Sequence, residues 1–176
     1  MQYRRALLAG GTFFFTVNLA ERSKTFLIDY VDILRETFRQ VKSRHPFKID
    51  AIVILPDHLH AIWTLPTNET DYATRWMLIK SGFSRKIPFG ERRNRSRILR
   101  HERGIWQRRY WEHLIRNEED FIRHIEYIHY NPVKHGYVLK PTDWLFSSIH
   151  RDIRAGRVTP NWGNNIPHIS GKYGEI

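Results

Sequence analysis

The sequence predicts an α+β fold: an antiparallel sheet of ferredoxin-like order with two helices on one face, an added helix and a C-terminal tail. Two observations carry that expectation. Strand-like and helix-like patterns follow one another as β-α-β-β-α-β. A single long apolar run in the middle is cut by a proline into two strands. Taken in order, "GTFFFTVNLA" (Gly11–Ala20) is aromatic and β-branched after a Gly-Gly break and reads as the first strand. From Asp29 to Lys42, Val31, Leu34, Phe38 and Val41 recur at three- and four-residue intervals, the stripe of an amphipathic helix with a basic outer face. "FKIDAIVILPDHLHAIWTLP" is too long for one strand, and Pro56-Asp57 divides it into strands over about 48–55 and 58–65. Thr70–Arg85 is helical, with Asp71 or Thr70 as N-cap and Trp76, Ile79 and Phe83 on one face.

After that helix the periodicity stops. Pro88, Gly90 and a dense run of arginines mark a loop. Arg108–Arg116 alternates as a fourth strand. Glu118–Tyr130 forms a helix with an acidic start, closed by Asn131-Pro132, whose stripe of Phe121, Ile122, Ile125 and Ile128 should face the sheet. "WLFSSIHRDI" reads as a last short helical segment, and the glycines, prolines and asparagines beyond Arg154 as a tail without its own core. One domain over 1–154 and a tail over 155–176 follow from this division.

Lysine and arginine total 29 against 18 acidic residues, a formal charge of +11, which favours a polyanionic partner, most commonly nucleic acid. With no cysteine in the chain, disulfides, thiolate metal sites and cysteine nucleophiles are excluded. The apolar run near the N-terminus is too short for a secretory signal and nothing later approaches a membrane span, so a cytoplasmic protein without a membrane partner is expected.

Residues two apart on a strand point to one side, so His58 and His60 in "LPDHLHAIWTLP" offer two imidazoles to one point. Neutral ring nitrogens suit a divalent cation, including a mixed nitrogen/oxygen site for Mg²⁺ or Mn²⁺. The pair alone also fits histidines bonded to carbonyls beside a turn, and a third ligand is what separates the two readings. Asn131 lies four residues after Tyr127, so the two share a helix face, and an amide oxygen is an acceptable hard ligand. Helical periodicity does not choose Tyr127 over Tyr130 as a phenol near that point. Two imidazoles, a tyrosine and strong positive charge together point to phosphodiester chemistry.

"LPDHLHAIWTLP", "IWQRRYWEHLIR" and "HIEYIHYNPVKHGYV" together resemble the REP-associated tyrosine transposases, single-tyrosine relatives of the HUH nucleases that move single-stranded DNA. The resemblance runs from Tyr3–Arg5 through "FSSIHRDI". It implies that His58 and His60 bind Mg²⁺ or Mn²⁺ and that Tyr127 rather than Tyr130 is the nucleophile. Asn131 is the implied third ligand, one methylene shorter than the glutamine of more distant relatives, a length that a bridging water would make up. The implied activity is a metal-dependent single-stranded DNA endonuclease and strand transferase at hairpin-forming palindromic repeats, through a 5′-phosphotyrosine. The implied setting is the nucleoid and the implied state a monomer.

Arg4 and Arg5, together with Arg92, Arg93, Arg95, Arg97, Arg100 and Arg103, are candidates for gripping the hairpin phosphates. Trp106, Tyr110 and Trp111 are candidates for stacking on unpaired bases, with at least two of them expected in the core. A non-catalytic hairpin-binding protein shares the basic surface but has no need of His58, His60 and Tyr127 together. A zinc hydrolase using His58, His60 and Asp57 is a third reading, which the charge disfavours. The tail from Ala155 to Ile176 has the composition of a segment that folds over the active site and gates DNA entry.

Overall fold

The computed structural model describes residues 7–163 and 173–175. Four antiparallel strands, β1 (Thr12–Asn18), β2 (Lys48–Ile54), β3 (His58–Thr64) and β4 (Trp111–Leu114), form one sheet in the order β2-β3-β1-β4. The helices are α1 (Phe26–Asp29), α2 (Val31–Arg44), α3 (Tyr72–Lys86), α4 (Arg95–Leu99), α5 (Glu118–Lys134) and α6 (Ile149–Arg154), with a 3₁₀ turn at Pro141–Asp143. This is the ferredoxin-like order read from the sequence. Pro56-Asp57 makes the tight β2–β3 turn, closed by the Leu55 N–H donating to the His58 carbonyl at 2.9 Å. Asp71 caps α3 by accepting from the Thr74 N–H at 2.8 Å.

Strand alternation sorts β1 and β3 into two faces. Phe13, Phe15, Val17, Leu59, Ala61 and Trp63 face α2 and α3 and build the larger core with Leu34, Phe38, Trp76 and Phe83. Its centre is aromatic: Trp63 and Trp76 stack at 4.1 Å between ring centroids. The opposite face carries Phe14, Val53 and Ile62, on which α5 lies. The added helix therefore covers the side of the sheet that α2 and α3 leave open.

Four expectations are corrected. The arginine-rich segment is not wholly loop, because Asn94 caps a short helix, α4, by accepting from the Arg97 N–H at 3.0 Å. The fourth strand is shorter than 108–116: Trp106 bridges Leu19, the chain leaves the ladder, and pairing resumes only where Trp111 meets Thr16. α5 does not close at Asn131-Pro132 but runs on to Lys134. Proline removes a single N–H from the ladder. The stop instead is Gly136, at φ 70°, with the Gly136 N–H bonded to the Val133 carbonyl at 2.9 Å and the Tyr137 N–H to the Pro132 carbonyl at 3.0 Å. These are the two bonds of a glycine-terminated helix end.

Finally, Ile122 does not belong to the sheet-facing stripe, and Tyr127 does. Ile122 is exposed, whereas His124, Tyr127, Ile128 and Asn131 are buried. Burial on α5 follows a partly polar face, which an apolar stripe search passes over.

Candidate active site

Register puts the histidines on the α5 side of the sheet: His58 pairs with Asn18, His60 with Thr16 and Ile62 with Phe14. Both histidines are completely buried. Their unshared neighbours then decide which ring nitrogen is free. The Asp57 carboxylate lies 2.7 Å from His58 Nδ1 and is ion-paired to Arg22. Burial alone would raise Asp57, but the hydrogen bonds from His58 and Arg22 prevail and hold it down at about 2. A permanent carboxylate on Nδ1–H leaves Nε2 of His58 as the lone-pair nitrogen. That atom is buried and has no hydrogen-bond partner among the described residues.

His60 is oriented the same way. Thr16 Oγ donates its proton to the Tyr173 carbonyl at 2.5 Å, so at 2.8 Å from His60 Nδ1 it can only accept. Burial pulls the His60 imidazole down to about 3 against the opposing bond to Glu175, so the ring is neutral; its Nε2 faces the Glu175 carboxylate at 2.9 Å and would offer a lone pair only to a cation in place of that contact.

α5 brings the remaining groups. Because the helix continues through Pro132, Asn131 stays one turn beyond Tyr127 on the buried face. The Tyr127 and His60 ring centroids are 5.2 Å apart. Lys134 Nζ lies 3.0 Å from the Tyr127 hydroxyl and 4.8 Å from the ring centroid. Asn131 Oδ1 is buried and, like His58 Nε2, without a partner among the described residues.

The C-terminal residues Tyr173–Glu175 lie inside this site. The Tyr173 ring stacks on Tyr127 at 3.6 Å and 15°. Gly174, at φ 73°, lies so close to Trp111 that a side chain there would collide with the indole. Glu175 then places one carboxylate oxygen, Oε1, at the convergence of the site: 2.9 Å from His60 Nε2, 2.8 Å from Asn131 Nδ2, 3.3 Å from His135 Nε2 and 3.8 Å from His58 Nε2. The Tyr127 hydroxyl donates to the same oxygen, and Lys134 pairs with Oε2. Burial opposes the charge on Glu175, yet the donors around it hold the carboxyl far below its ordinary range. Burial and then Glu175 push the Tyr127 phenol well above its ordinary value.

The donor set fits a divalent cation. Two buried imidazole nitrogens, the Asn131 amide and a carboxylate converge on one point; the amide now presents Nδ2 to Glu175, and turned over it would present Oδ1, giving a nitrogen/oxygen mixture that suits Mg²⁺ or Mn²⁺. Tyr127 stands beside that point; Tyr130 is only half-buried and makes none of these contacts. Four of these groups were not singled out from sequence: Lys134, His135, Tyr173 and Glu175. The helix pair has a signal in retrospect, since His135 is four residues after Asn131.

An open cleft of about 520 Å³ adjoins Tyr127 and is lined by Asn18, Arg109, Tyr110 and Trp111. Of the three aromatics proposed for stacking, Trp106 is buried and Tyr110 packs against the core, while Trp111 is exposed at the cleft. Arg92, Arg93, Arg95 and Arg100 are exposed; Arg97 donates to the Trp106 carbonyl. Arg103 is turned inward instead, onto Glu91 and the carbonyls of Ser84, Ile87 and Pro88, and ties down the loop. Arg4 and Arg5 lie outside the described residues.

No family model matches the chain. Among curated proteins it is 46% identical over 164 residues to one from Haemophilus influenzae, covering 93% of each chain, which is named, provisionally, a REP-associated tyrosine transposase. It is 41% identical over 169 residues to the REP-associated tyrosine transposase of Escherichia coli, covering 96% of this chain and 94% of that one. Among solved structures, a REP-associated tyrosine transposase bound to a REP hairpin superposes with a TM-score of 0.85 at 40% identity, covering 100% of this chain and 98% of the other.

Proposed function

The chain belongs to the REP-associated tyrosine transposases, and from that membership we propose that it is a metal-dependent endonuclease and strand transferase for single-stranded DNA carrying hairpin-forming repeats. The observation that carries this reading is the convergence of His58, His60, Asn131 and Tyr127 on one point of one sheet face. The solved relative's REP hairpin supplies the substrate class.

A divalent cation held by His58, His60 and Asn131 would polarise the scissile phosphate and offset its developing charge. Tyr127 Oη attacks phosphorus and gives up its proton. The bond from phosphorus to the 3′ oxygen breaks, and that oxygen takes up a proton as a free 3′-hydroxyl. The 5′ end stays on Tyr127 as a phosphotyrosine. Attack by another 3′-hydroxyl reverses the step and joins strands without an external energy source. Lys134, 3.0 Å from the phenol, favours the phenolate and neutralises charge on the phosphate. Exposed Arg92, Arg93, Arg95 and Arg100 grip hairpin phosphates, and Trp111 stacks on an unpaired base at the cleft.

Residues Tyr173–Glu175 gate this site. Glu175 takes the point a phosphate oxygen needs, and Tyr173 covers the nucleophile's ring. Cutting therefore requires Tyr173 and Glu175 to leave.

The test is a labelled repeat hairpin with a short single-stranded foot, incubated with Mn²⁺ or Mg²⁺ and run on a denaturing gel. The full chain and its Glu175→Gln variant should form a covalent adduct that Tyr127→Phe abolishes. An adduct surviving Tyr127→Phe would refute the nucleophile. Tight hairpin binding with no adduct from any form would instead establish a non-catalytic binder.

A further inference from the structure

We propose that His135 is a ligand of the same cation as His58 and His60, making the centre a three-imidazole site; this rests on the reading above that the site binds a divalent metal. Three observations support it. The first is spacing. Bonds of about 2.1 Å to a common octahedral cation put neighbouring ligand atoms about 3 Å apart. The nitrogens of His60 and His135 lie 2.9 and 3.3 Å from Glu175 Oε1, and that of His58 lies 3.8 Å from it. With Oε1 as the neighbouring ligand atom, His60 and His135 already stand near that separation, and His58 would have to move inward. His58, His135 and Glu175 each place one ligand atom within 4.8 Å of the other two.

The second is ring placement. The His58 ring centroid is 5.0 Å from that of His60 and 5.0 Å from that of His135, so His135 approaches the buried imidazole as closely as its strand partner does. The third is how the backbone delivers it. The His135 N–H still bonds to the Asn131 carbonyl at 3.0 Å, which keeps His135 one turn above Asn131 on the metal-facing side. The glycine stop at Gly136 then turns the chain away immediately after it. His135 thus caps the helix, one residue past Lys134 and one before the glycine stop.

His58 and His60 are sealed, whereas the His135 side chain keeps 27% of its surface in solvent. It is the ligand at the mouth of the site, through which an ion would enter. An imidazole there also supplies reach that the short Asn131 side chain lacks.

Mn²⁺ is the probe, because pulsed electron paramagnetic resonance counts its coupled imidazole nitrogens without reference to cleavage. Spectra and titration calorimetry would be recorded on the full chain and on Glu175→Gln, each with and without His135→Ala, with His135→Gln as a second variant should alanine fail to fold. The expected result is three coupled imidazoles, falling to two in either His135 variant. Affinity should weaken by at least the roughly tenfold to hundredfold typical of losing a ligand's supporting partner. Two imidazoles before and after, or three that persist without His135, would overturn the assignment while leaving the metal reading intact. Absence of Mn²⁺ binding in both the full chain and Glu175→Gln would overturn both.

Discussion

The two faces of the sheet are made from the same strands and have opposite characters. Toward α2 and α3, the positions of β1 and β3 are apolar: Phe13, Phe15, Val17, Leu59, Ala61 and Trp63. Toward α5, Phe14 and Ile62 are apolar, but the next alternate positions, Thr16, Asn18, His58 and His60, are polar and equally buried. Burying polar groups costs free energy unless each finds a partner. Here the partners are Asp57, Arg22, Thr16 and Tyr173–Glu175, while His58 Nε2 and Asn131 Oδ1 stay without one among the described residues. One face thus carries stability and lets the other carry chemistry.

That division makes substitutions on the two faces separable. Trp76→Ala, on the apolar face, should cost about 3–5 kcal/mol in urea unfolding, since it removes the ring stacked on Trp63. His60→Ala, on the polar face, should reduce covalent adduct on the order of a hundredfold or more while costing less stability than Trp76→Ala, about 1–2 kcal/mol for a buried hydrogen-bonded side chain. An unfolded His60→Ala protein, or a stable but inactive Trp76→Ala, would blur the comparison.

Stability on the α5 side should depend on pH. Asp152 is buried against His129 at 3.2 Å and Arg157 at 2.7 Å. Burial would raise its pKa, but the bonds from His129 and Arg157 leave it well below the ordinary value. A depressed folded-state pKa adds stability that is present above the unfolded value and lost as pH falls through the acid range. Asp152→Asn should therefore cost about 2 kcal/mol at neutral pH and progressively less below about pH 4. Denaturant titrations at both pH values check this; an equal cost at both would remove Asp152 from the account. The smallest effect sharpens the tail's part: Glu175→Gln should raise adduct formation about tenfold by freeing the competent state. Unchanged cleavage with unchanged DNA affinity would reject gating.

The apolar face was legible because its information is local. A period of two in the strands and three to four in α2 and α3 identifies it, and "DHLH" placed both histidines correctly because strand alternation needs no tertiary knowledge. α5 departs from its apolar pattern for a related reason. Its buried face carries His124, Tyr127 and Asn131, so apolarity pointed to Ile122, which is exposed. Pro132 masked the true end at Gly136 and with it Lys134 and His135. Glu175 was beyond any local signal, lying 115 residues from His60 in sequence. Arg103 looks like its neighbours in the arginine run; only the loop carbonyls it satisfies distinguish it.

The central claim is that Tyr127 is the group that takes the DNA. The most direct measurement is peptide mass spectrometry on the trapped protein–DNA adduct, which reports which side chain carries the nucleotide. The account expects the 5′-phosphate on Tyr127 alone; finding it on Tyr130, or on Tyr173 stacked beside it, would contradict the account.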